Sequence, residues 1–309
     1  MTLLQQNIEV KIFGYLTASI STVFLFIQSL TLIILCKNIQ LLKLHKVYII
    51  ITVLGILYLF QQIIHFLSGI FCTTKWKVSE SVEIFLGAFL NFTYNQSIIF
   101  SLILSINRLL IFFNFFEVIK VIIIGLSIVT ISFFTTLNIY YLIIYNTHEL
   151  RIIYSIENGI WDYQTHTDNF LSLIENRMII ICNVVNIFIF TSIIIKLAYQ
   201  KMIINAKLKN LETFEYILFF QVFINFLFLF IIELLWEFGP IIFPNSDFIL
   251  TAVNFTWVLY SGKDCFINLL CLREIRKPIL EIFRLTKKKS TNKVIVLKEQ
   301  KFRYVTGNI

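Results

Sequence analysis

The sequence has little charge, little proline and little glycine. Asp, Glu, Lys and Arg make up 14% of its 309 residues, whereas soluble domains contain about 25%. Three Pro and nine Gly are too few for a collagen-like or linker-rich chain. Because 58% of the residues are hydrophobic, the chain does not belong to the disordered class, in which apolar side chains are scarce. These absences favour an integral membrane protein.

The sequence also lacks the short motifs of common enzyme and metal sites. Its five Cys include no C-x-x-C pair, so neither a disulfide framework nor a zinc site is predicted. The four His show no H-E-x-x-H spacing, and neither a G-x-S-x-G elbow nor a phosphate-binding glycine loop occurs. We therefore expect no enzyme activity, no catalytic residues, no metal and no cofactor.

Long hydrophobic runs, in contrast, are abundant. A helix needs roughly 20 apolar residues to cross the hydrocarbon core of a bilayer, and seven runs of this kind occur, none of them containing proline. The sequence therefore predicts an all-α integral membrane protein, a seven-transmembrane helix bundle. Its predicted spans are Ile12–Cys36, Val47–Phe71, Ile84–Phe113, Val118–Tyr145, Met178–Tyr199, Phe214–Phe238 and Phe248–Leu272.

The distribution of Lys and Arg predicts the orientation of this bundle. Of the 26 basic residues, 20 fall on the side that holds the C-terminus, five fall on the opposite side, and Lys263 lies within the seventh span. Positively charged loops are retained in the cytoplasm, so the N-terminus is expected outside, in the plasma membrane. The net charge of +8 then belongs to the cytoplasmic face, where it suits anionic lipid rather than nucleic acid.

Four predicted spans carry polar or aromatic side chains in their outer halves. Asn91, Tyr94 and Asn95 of the third span share one helical face by their i, i+3, i+4 spacing. The second, sixth and seventh spans have similar side chains at comparable depth, and apolar walls with a few polar groups are typical of small-molecule pockets. The candidate ligand-binding residues are Asn91, Tyr94, Asn95, Glu233, Trp236, Trp257 and His65.

A plainer interpretation applies to each polar residue in the spans. Amides and hydroxyls there often form only interhelical hydrogen bonds, worth roughly 0.6 to 2 kcal/mol. Glu233 is more informative, because a carboxylate at membrane depth costs about 2.5 kcal/mol or more unless it is paired or protonated. Lys263 and Asp264 are sequence neighbours and point about 100° apart on a helix. We expect each of them to pair with a different helix or with backbone.

Two motifs lie at the cytoplasmic ends of the spans. Asn107-Arg108 ends the third span, and the seventh contains Trp257-x-x-x-Ser261-Gly262-x-Asp264-Cys265-x-x-Asn268, followed by Leu272-Arg273-Glu274-Ile275-Arg276. Together with the seven spans, they resemble the G-protein-coupled receptor plan, and in particular the nematode serpentine chemoreceptors of class T. His45-Lys46-Val47-Tyr48 is also similar to that class. The resemblance covers roughly residues 12 to 284.

This resemblance implies a small-molecule ligand and a cytoplasmic heterotrimeric G protein as partners. Because Asn107 replaces the usual acid, we expect Arg108 to lack a local partner and to be restrained in the resting state by Glu215 or, less readily, Glu212. The implied coupling residues are Asn107, Arg108, Glu215, Asp264 and Asn268.

The sequence also departs from the receptor plan. Many such receptors have a Cys 25 residues before the Arg, bonded to the second outer loop; this chain has Glu83 there, and residues 146–177 contain no Cys. The sixth span lacks Pro, and Tyr58 takes a place where class T often has Asp. The disulfide and the proline hinge that are common in the resembled receptors are therefore not expected in this chain.

The ends of the chain complete the predicted organisation. Residues 1–11 form a short extracellular N-terminus, and 12–272 the transmembrane domain. In residues 273–285, Ile275, Ile279 and Ile282 fall on one face, which predicts an amphipathic helix on the membrane surface despite Pro278. Residues 286–309 form a basic cytoplasmic tail near anionic lipid.

Chemosensory receptor function is the interpretation that these observations favour. A seven-span ligand-gated channel or small-solute carrier is the alternative, and it requires a polar path across the whole bilayer. In the sequence, polar residues thin out between the outer cluster and Arg108, and no internal repeat of the kind common in carriers is visible.

Overall fold

The computed structural model describes residues 3–44, 47–113, 125, 135–136, 152–163, 170–203, 213–243 and 247–283. Helices dominate these ranges, because backbone groups in lipid must form their hydrogen bonds within one segment. In chain order they are α1 (Leu3–Lys37), α2 (Ile39–Leu44), α3 (Val47–Thr74), α4 (Glu80–Phe113), α5 (Phe170–Ile203), α6 (Thr213–Ile242), α7 (Asp247–Cys271) and α8 (Arg273–Ile282).

Five of the described helices are long and apolar enough to cross a membrane, as judged by length and composition. The qualifying segments lie in α1, α3, α4, α5 and α6. The predicted fourth span, Val118–Tyr145, lies outside the described residues except for three of them. The predicted seventh span corresponds to α7, which has 25 residues but is not among the five. Seven spans and an outside N-terminus therefore stay predictions.

Three helix ends differ from the sequence-based expectation. Helix α1 begins at Leu3, well before Ile12, and α5 begins at Phe170 rather than Met178. Helix α6 continues past the predicted end at Phe238 to Ile242. Pro240 therefore lies inside the helix, although outside the membrane-capable segment Tyr216–Trp236. Pro240 has no N–H to donate to the carbonyl four residues earlier, so α6 lacks one intrahelical hydrogen bond near its end.

A short β-hairpin accompanies the helices, and the sequence analysis did not predict it. Strands β1 (Ile152–Ser155) and β2 (Ile160–Tyr163) pair antiparallel, with Ser155 opposite Ile160. Gly159 closes the turn at a φ of 67°, a left-handed conformation that glycine adopts without steric cost. The hairpin packs against the N-terminal part of α4 and against α7. Following the predicted orientation, we call the hairpin end of the bundle the outer end, and the end that holds Arg108 the inner end.

Small residues let α1 approach two other helices closely. A Cβ added at Gly69 of α3 would lie 2.6 Å from the backbone nitrogen of Ala18. At Gly262 of α7, an added Cβ would lie 2.0 Å from the ring of Phe24. Close backbone approach through small residues drives helix association in lipid, where apolar side chains gain nothing by leaving the solvent.

Aromatic side chains join α5 and α6 instead. The ring of Phe190 lies 5.4 Å from that of Phe223 and 5.2 Å from that of Phe226, measured between centroids. Aromatic pairs at such separations are worth about 0.5 to 1.5 kcal/mol beyond the area that they bury.

Helix α8 follows α7 directly, as the sequence predicts for residues 273–285, although it ends at Ile282. Its Ile275 and Ile279 are buried against the bundle, and Pro278 lies inside the helix. The Tyr48 hydroxyl of α3 donates to Glu274 Oε2 over 3.3 Å. Helix α8 is thus held to the inner end by apolar packing and one long hydrogen bond.

Candidate functional site

Four helices bring polar and aromatic side chains together in the outer half of the bundle. The Tyr94 hydroxyl of α4 donates to Glu233 Oε1 of α6. The ring of Trp257, on α7, lies 5.0 Å from that of Tyr94 and 5.5 Å from that of His65, on α3. Tyr260 packs 6.0 Å from the Tyr94 ring. We call His65, Tyr94, Glu233, Trp257 and Tyr260 the outer cluster.

The hydrogen bond from Tyr94 bears on whether Glu233 is a structural residue or a ligand-binding one. A hydroxyl donor satisfies one carboxylate oxygen, and a charge-assisted bond of this type is about twice as strong as a neutral one. The side chain is half-buried. Glu233 is therefore anchored to α4 through Tyr94, with a second oxygen through which a carboxylate can accept further hydrogen bonds.

Two polar atoms of the outer cluster have no hydrogen-bond partner within the described part of the chain. They are His65 Nε2 and Trp257 Nε1, on side chains that are 2% and 7% exposed. A buried polar atom without a partner costs about 1 to 3 kcal/mol. A ligand that accepts from the indole and contacts the imidazole would remove this cost.

The other predicted ligand-binding residues occupy the surroundings of the cluster. Asn91 and Asn95 are both buried on α4, and Asn95 Nδ2 donates to Asn91 Oδ1 over 3.4 Å. Trp236 is partly buried and packs against the apolar core. The structure thus unites His65, Tyr94, Glu233 and Trp257, and it pairs the two asparagines with each other.

The hairpin covers the outer cluster, through residues that the sequence analysis did not single out. Trp161 of β2 donates from Nε1 to Ser68 Oγ of α3 over 2.8 Å. Its backbone N–H donates to Asn254 Oδ1 of α7 over 3.2 Å. Asn158-Gly159 between two short apolar runs is a recognised hairpin signal. That signal could have located the strands, but not their contacts with α3 and α7.

A third connection ties the hairpin to α4. The backbone N–H of Tyr154 donates to Glu83 Oε1 over 2.7 Å, and a Cβ added at Gly87 would lie 2.3 Å from the carbonyl oxygen of Ile152. All five cysteines are free. Glu83, at the position where the resemblance would place a disulfide-bonded Cys, therefore holds the hairpin by a hydrogen bond.

A small cavity lies between the hairpin, α3 and α7. His65, Ser68, Trp161 and Asn254 are among its lining residues, and its volume is about 20 Å³. That is room for about one water molecule. The cavity gives the buried His65 imidazole a polar neighbourhood directly beneath the hairpin.

At the inner end, the structure corrects one expectation about Arg108. Its Nη2 donates to Asn107 Oδ1 over 3.0 Å, so the replacement of an acid by Asn does not remove the local partner. An amide oxygen accepts such a bond as a carboxylate does, although without the charge. Arg108 is 1% exposed. The side chain of Glu215 and the whole of Glu212 lie outside the described residues.

Lys263 and Asp264 were each expected to pair with a different helix or with backbone. Lys263 does bond backbone, but the two side chains also pair with each other, which was not expected. Lys263 Nζ lies 3.3 Å from Asp264 Oδ1, and both side chains are buried. The ammonium also donates to the Tyr260 carbonyl over 3.1 Å and lies 3.6 Å from the centroid of the Tyr260 ring. A long lysine chain reaches its neighbour despite the angle between them, because pairing offsets the cost of two buried charges.

Polar groups continue below the outer cluster, whereas the sequence suggested that they thin out. The Tyr58 and Tyr260 hydroxyls lie 3.3 Å apart, and Gln221 Nε2 donates to Asn268 Oδ1 over 2.5 Å. A cavity between α4, α5 and α6 measures only about 10 Å³. Four polar side chains (Ser101, Ser105, Asn186 and Asn225) and four apolar ones line it. A water molecule needs at least about 10 to 15 Å³, so this cavity is not an open passage.

Comparison with known proteins identifies the fold. No family model and no curated protein matches the sequence. The crystal structure of squid rhodopsin matches with a TM-score of 0.67 at 12% sequence identity, covering 92% of this chain and 87% of that chain. The chain therefore has a rhodopsin-like fold. An identity this low carries no information about ligand or signalling partner.

Proposed function

We propose that this chain is a G-protein-coupled chemosensory receptor of the plasma membrane, with its N-terminus outside, related to the nematode serpentine class. It binds a small molecule at the outer cluster and signals to a cytoplasmic heterotrimeric G protein. The observation that carries the proposal is the convergence of His65, Tyr94, Glu233 and Trp257 from four helices, with two buried polar atoms left to bond a ligand.

The chemistry of the outer cluster favours an apolar or weakly polar ligand with one or two polar groups. Aromatic rings supply most of the contact surface, and the Trp257 N–H can donate to a ligand oxygen. Glu233 accepts a hydrogen bond or pairs with a cation, if the ligand carries one. Trp236, Asn91 and Asn95 then flank the site.

The inner end supplies the proposed contacts with the G protein. Arg108 and Asn107 lie at the end of α4, and α8 carries three basic residues beside the bundle. Asp264 and Asn268 lie between this end and the outer cluster, so they can transmit a change in helix packing. Glu215 restrains Arg108 in the resting state.

Nucleotide exchange on purified G proteins tests the proposal directly. Candidate odorants should accelerate exchange only with the receptor present, and Tyr94→Phe, Glu233→Gln and Trp257→Phe should each shift the half-maximal dose. Tyr199→Phe is the matched control, because Tyr199 is exposed on α5. Unchanged dose curves for all three variants, with normal surface expression, would move the ligand site away from the outer cluster.

Topology separates the receptor from the channel or carrier alternative. An N-terminal tag should be accessible to antibody on intact cells. Accessibility only after permeabilisation, together with ligand-evoked current in the absence of G protein, would contradict the receptor and support the alternative.

A further inference from the structure

A second cavity opens at the outer rim of the bundle, away from the outer cluster. It lies where the outer part of α1, the end of α3 and the hairpin turn meet, and its volume is about 170 Å³. A dry cavity of about 150 Å³ can hold a benzene molecule, so this one has room for a small organic compound. Its lining residues are Val10, Lys11, Cys72, Lys75, Lys77, Ile156 and Glu157.

The charge around this rim cavity is concentrated and positive. Only five basic residues lie on the predicted outer side of the chain, and three of them line the cavity: Lys11, Lys75 and Lys77. Within the described residues none of these ammonium groups lies within 4.0 Å of a carboxylate. Glu157 is the one acidic residue in the lining. The cavity therefore attracts an anion on a face that otherwise carries more acidic than basic residues.

Lys75 has an unfavourable backbone conformation. Its φ of 55° makes it the only described residue other than glycine with a positive φ. Glycine is the usual residue after a helix end in this conformation, because a Cβ there is sterically disfavoured. A lysine at this position is therefore unexplained by local structure, whereas its charge at the cavity mouth accounts for it.

The rest of the lining supplies an apolar contact surface. Val10 and Ile156 are half-buried, and Cys72 is buried with its thiol donating to the Val10 carbonyl over 3.3 Å. We propose that the rim cavity is a binding site for a small organic anion, with its carboxylate or phosphate among the three lysines and a compact apolar body against Val10, Cys72 and Ile156. This site is distinct from the outer cluster and does not depend on G-protein coupling.

Binding of benzoate to the purified full chain in phosphatidylcholine nanodiscs tests the proposal. Saturation-transfer NMR should show saturable benzoate binding that weakens with added salt, and neutral benzamide should bind at least about fivefold more weakly. Lys11→Gln, Lys75→Gly and Lys77→Gln should each weaken benzoate binding about two- to fivefold, as expected for exposed ion pairs.

These variants distinguish the loss of a positive charge at the cavity from a disturbance of the local fold. Lys75→Gly favours the left-handed backbone, so loss of binding in this variant cannot come from a disturbed turn. Arg177→Gln removes one charge from an exposed outer position that does not line the cavity, and it should leave benzoate affinity unchanged.

Three outcomes would overturn the proposal. Benzamide could bind as well as benzoate, or the lysine variants could bind benzoate as the parent chain does. A lipid phosphate could also be the real anion; then nanodiscs containing phosphatidylglycerol would retain that lipid in a lysine-dependent manner, and benzoate would not bind in phosphatidylcholine. Equal benzoate affinity in both kinds of nanodisc would support the free organic anion.

Discussion

The two ends of the bundle are held together by different interactions. At the outer end, four described hydrogen bonds tie the hairpin to three helices. Ser68, Glu83 and Asn254 accept three of them, and the Thr251 hydroxyl donates the fourth to the Asn158 carbonyl. At the inner end, α4 and α6 pack through apolar side chains, aromatic rings among them. Phe112 lies 5.6 Å from Phe219 and 6.2 Å from Tyr216.

This difference has a mechanical consequence. Hydrogen bonds lose their strength within a few tenths of an ångström and when misaligned, so they fix the hairpin over the outer cluster. Aromatic contacts tolerate several geometries of similar energy, so α4 and α6 can shift against each other. A rigid outer end and an adjustable inner end suit a protein that binds a ligand at one end and responds at the other.

Removing the arginine at the adjustable end should have the largest effect. We expect Arg108→Ala to abolish ligand-driven nucleotide exchange while changing ligand affinity less than about twofold, because the side chain lies far from the outer cluster. At 1.5 Å per residue, the 14 residues between Tyr94 and Arg108 correspond to about 20 Å. Exchange assays and ligand titration on the same preparation measure both quantities. Intact exchange would show that the inner end signals without this residue.

The next largest effect is expected from adding a side-chain atom at Gly87, where α4 contacts the hairpin. In Gly87→Ala the new Cβ would meet the Ile152 carbonyl, and overpacking of this kind costs about 1 to 3 kcal/mol. Hydrogen exchange at the Tyr154 and Trp161 amides should become about tenfold faster or more. Gly125→Ala is the control, because nothing lies within 4 Å of its added Cβ. Equal exchange in both variants would mean that α4 does not hold the hairpin.

Removing the hydrogen bond between Glu83 and the hairpin should have a smaller effect. Glu83→Ala removes the acceptor of the Tyr154 N–H, at a cost of about 1 kcal/mol, and should speed exchange at that amide about fivefold. Glu83→Gln keeps an acceptor oxygen and should restore most of the protection. A glutamine variant no better than the alanine variant would assign the effect to charge rather than to the hydrogen bond.

The smallest effect is expected from the proposed resting-state restraint. Glu215→Ala should raise basal nucleotide exchange only a few-fold, because the hydrogen bond from Arg108 to Asn107 remains in this variant. Glu281→Ala, at an exposed position of α8, provides the comparison. No increase, or an equal increase in both, would leave Asn107 as the partner that restrains Arg108.

The sequence predicted the positions of individual helices better than the contacts between them. Helical hydrophobic runs predicted α3 and α4 closely, and the i, i+3, i+4 spacing put Asn91, Tyr94 and Asn95 on a buried face. It did not reveal that Tyr94 bonds Glu233, because that contact joins residues 139 positions apart. The hairpin was missed because membrane composition draws attention to long apolar runs, and short strands outside the membrane lack them.

The sequence by itself determined the membrane class and the predicted orientation, since both follow from summed properties. The length of an apolar segment decides whether it can span the bilayer, and the number of Lys and Arg residues predicts which side of the membrane a loop occupies. Only the tertiary structure decided which polar groups meet. It paired Lys263 with Asp264, gave Arg108 a bond to Asn107, and placed three lysines around one cavity. The physical reason is that such contacts depend on the rotation and separation of whole helices, and these are set by packing at positions such as Gly69 and Gly262.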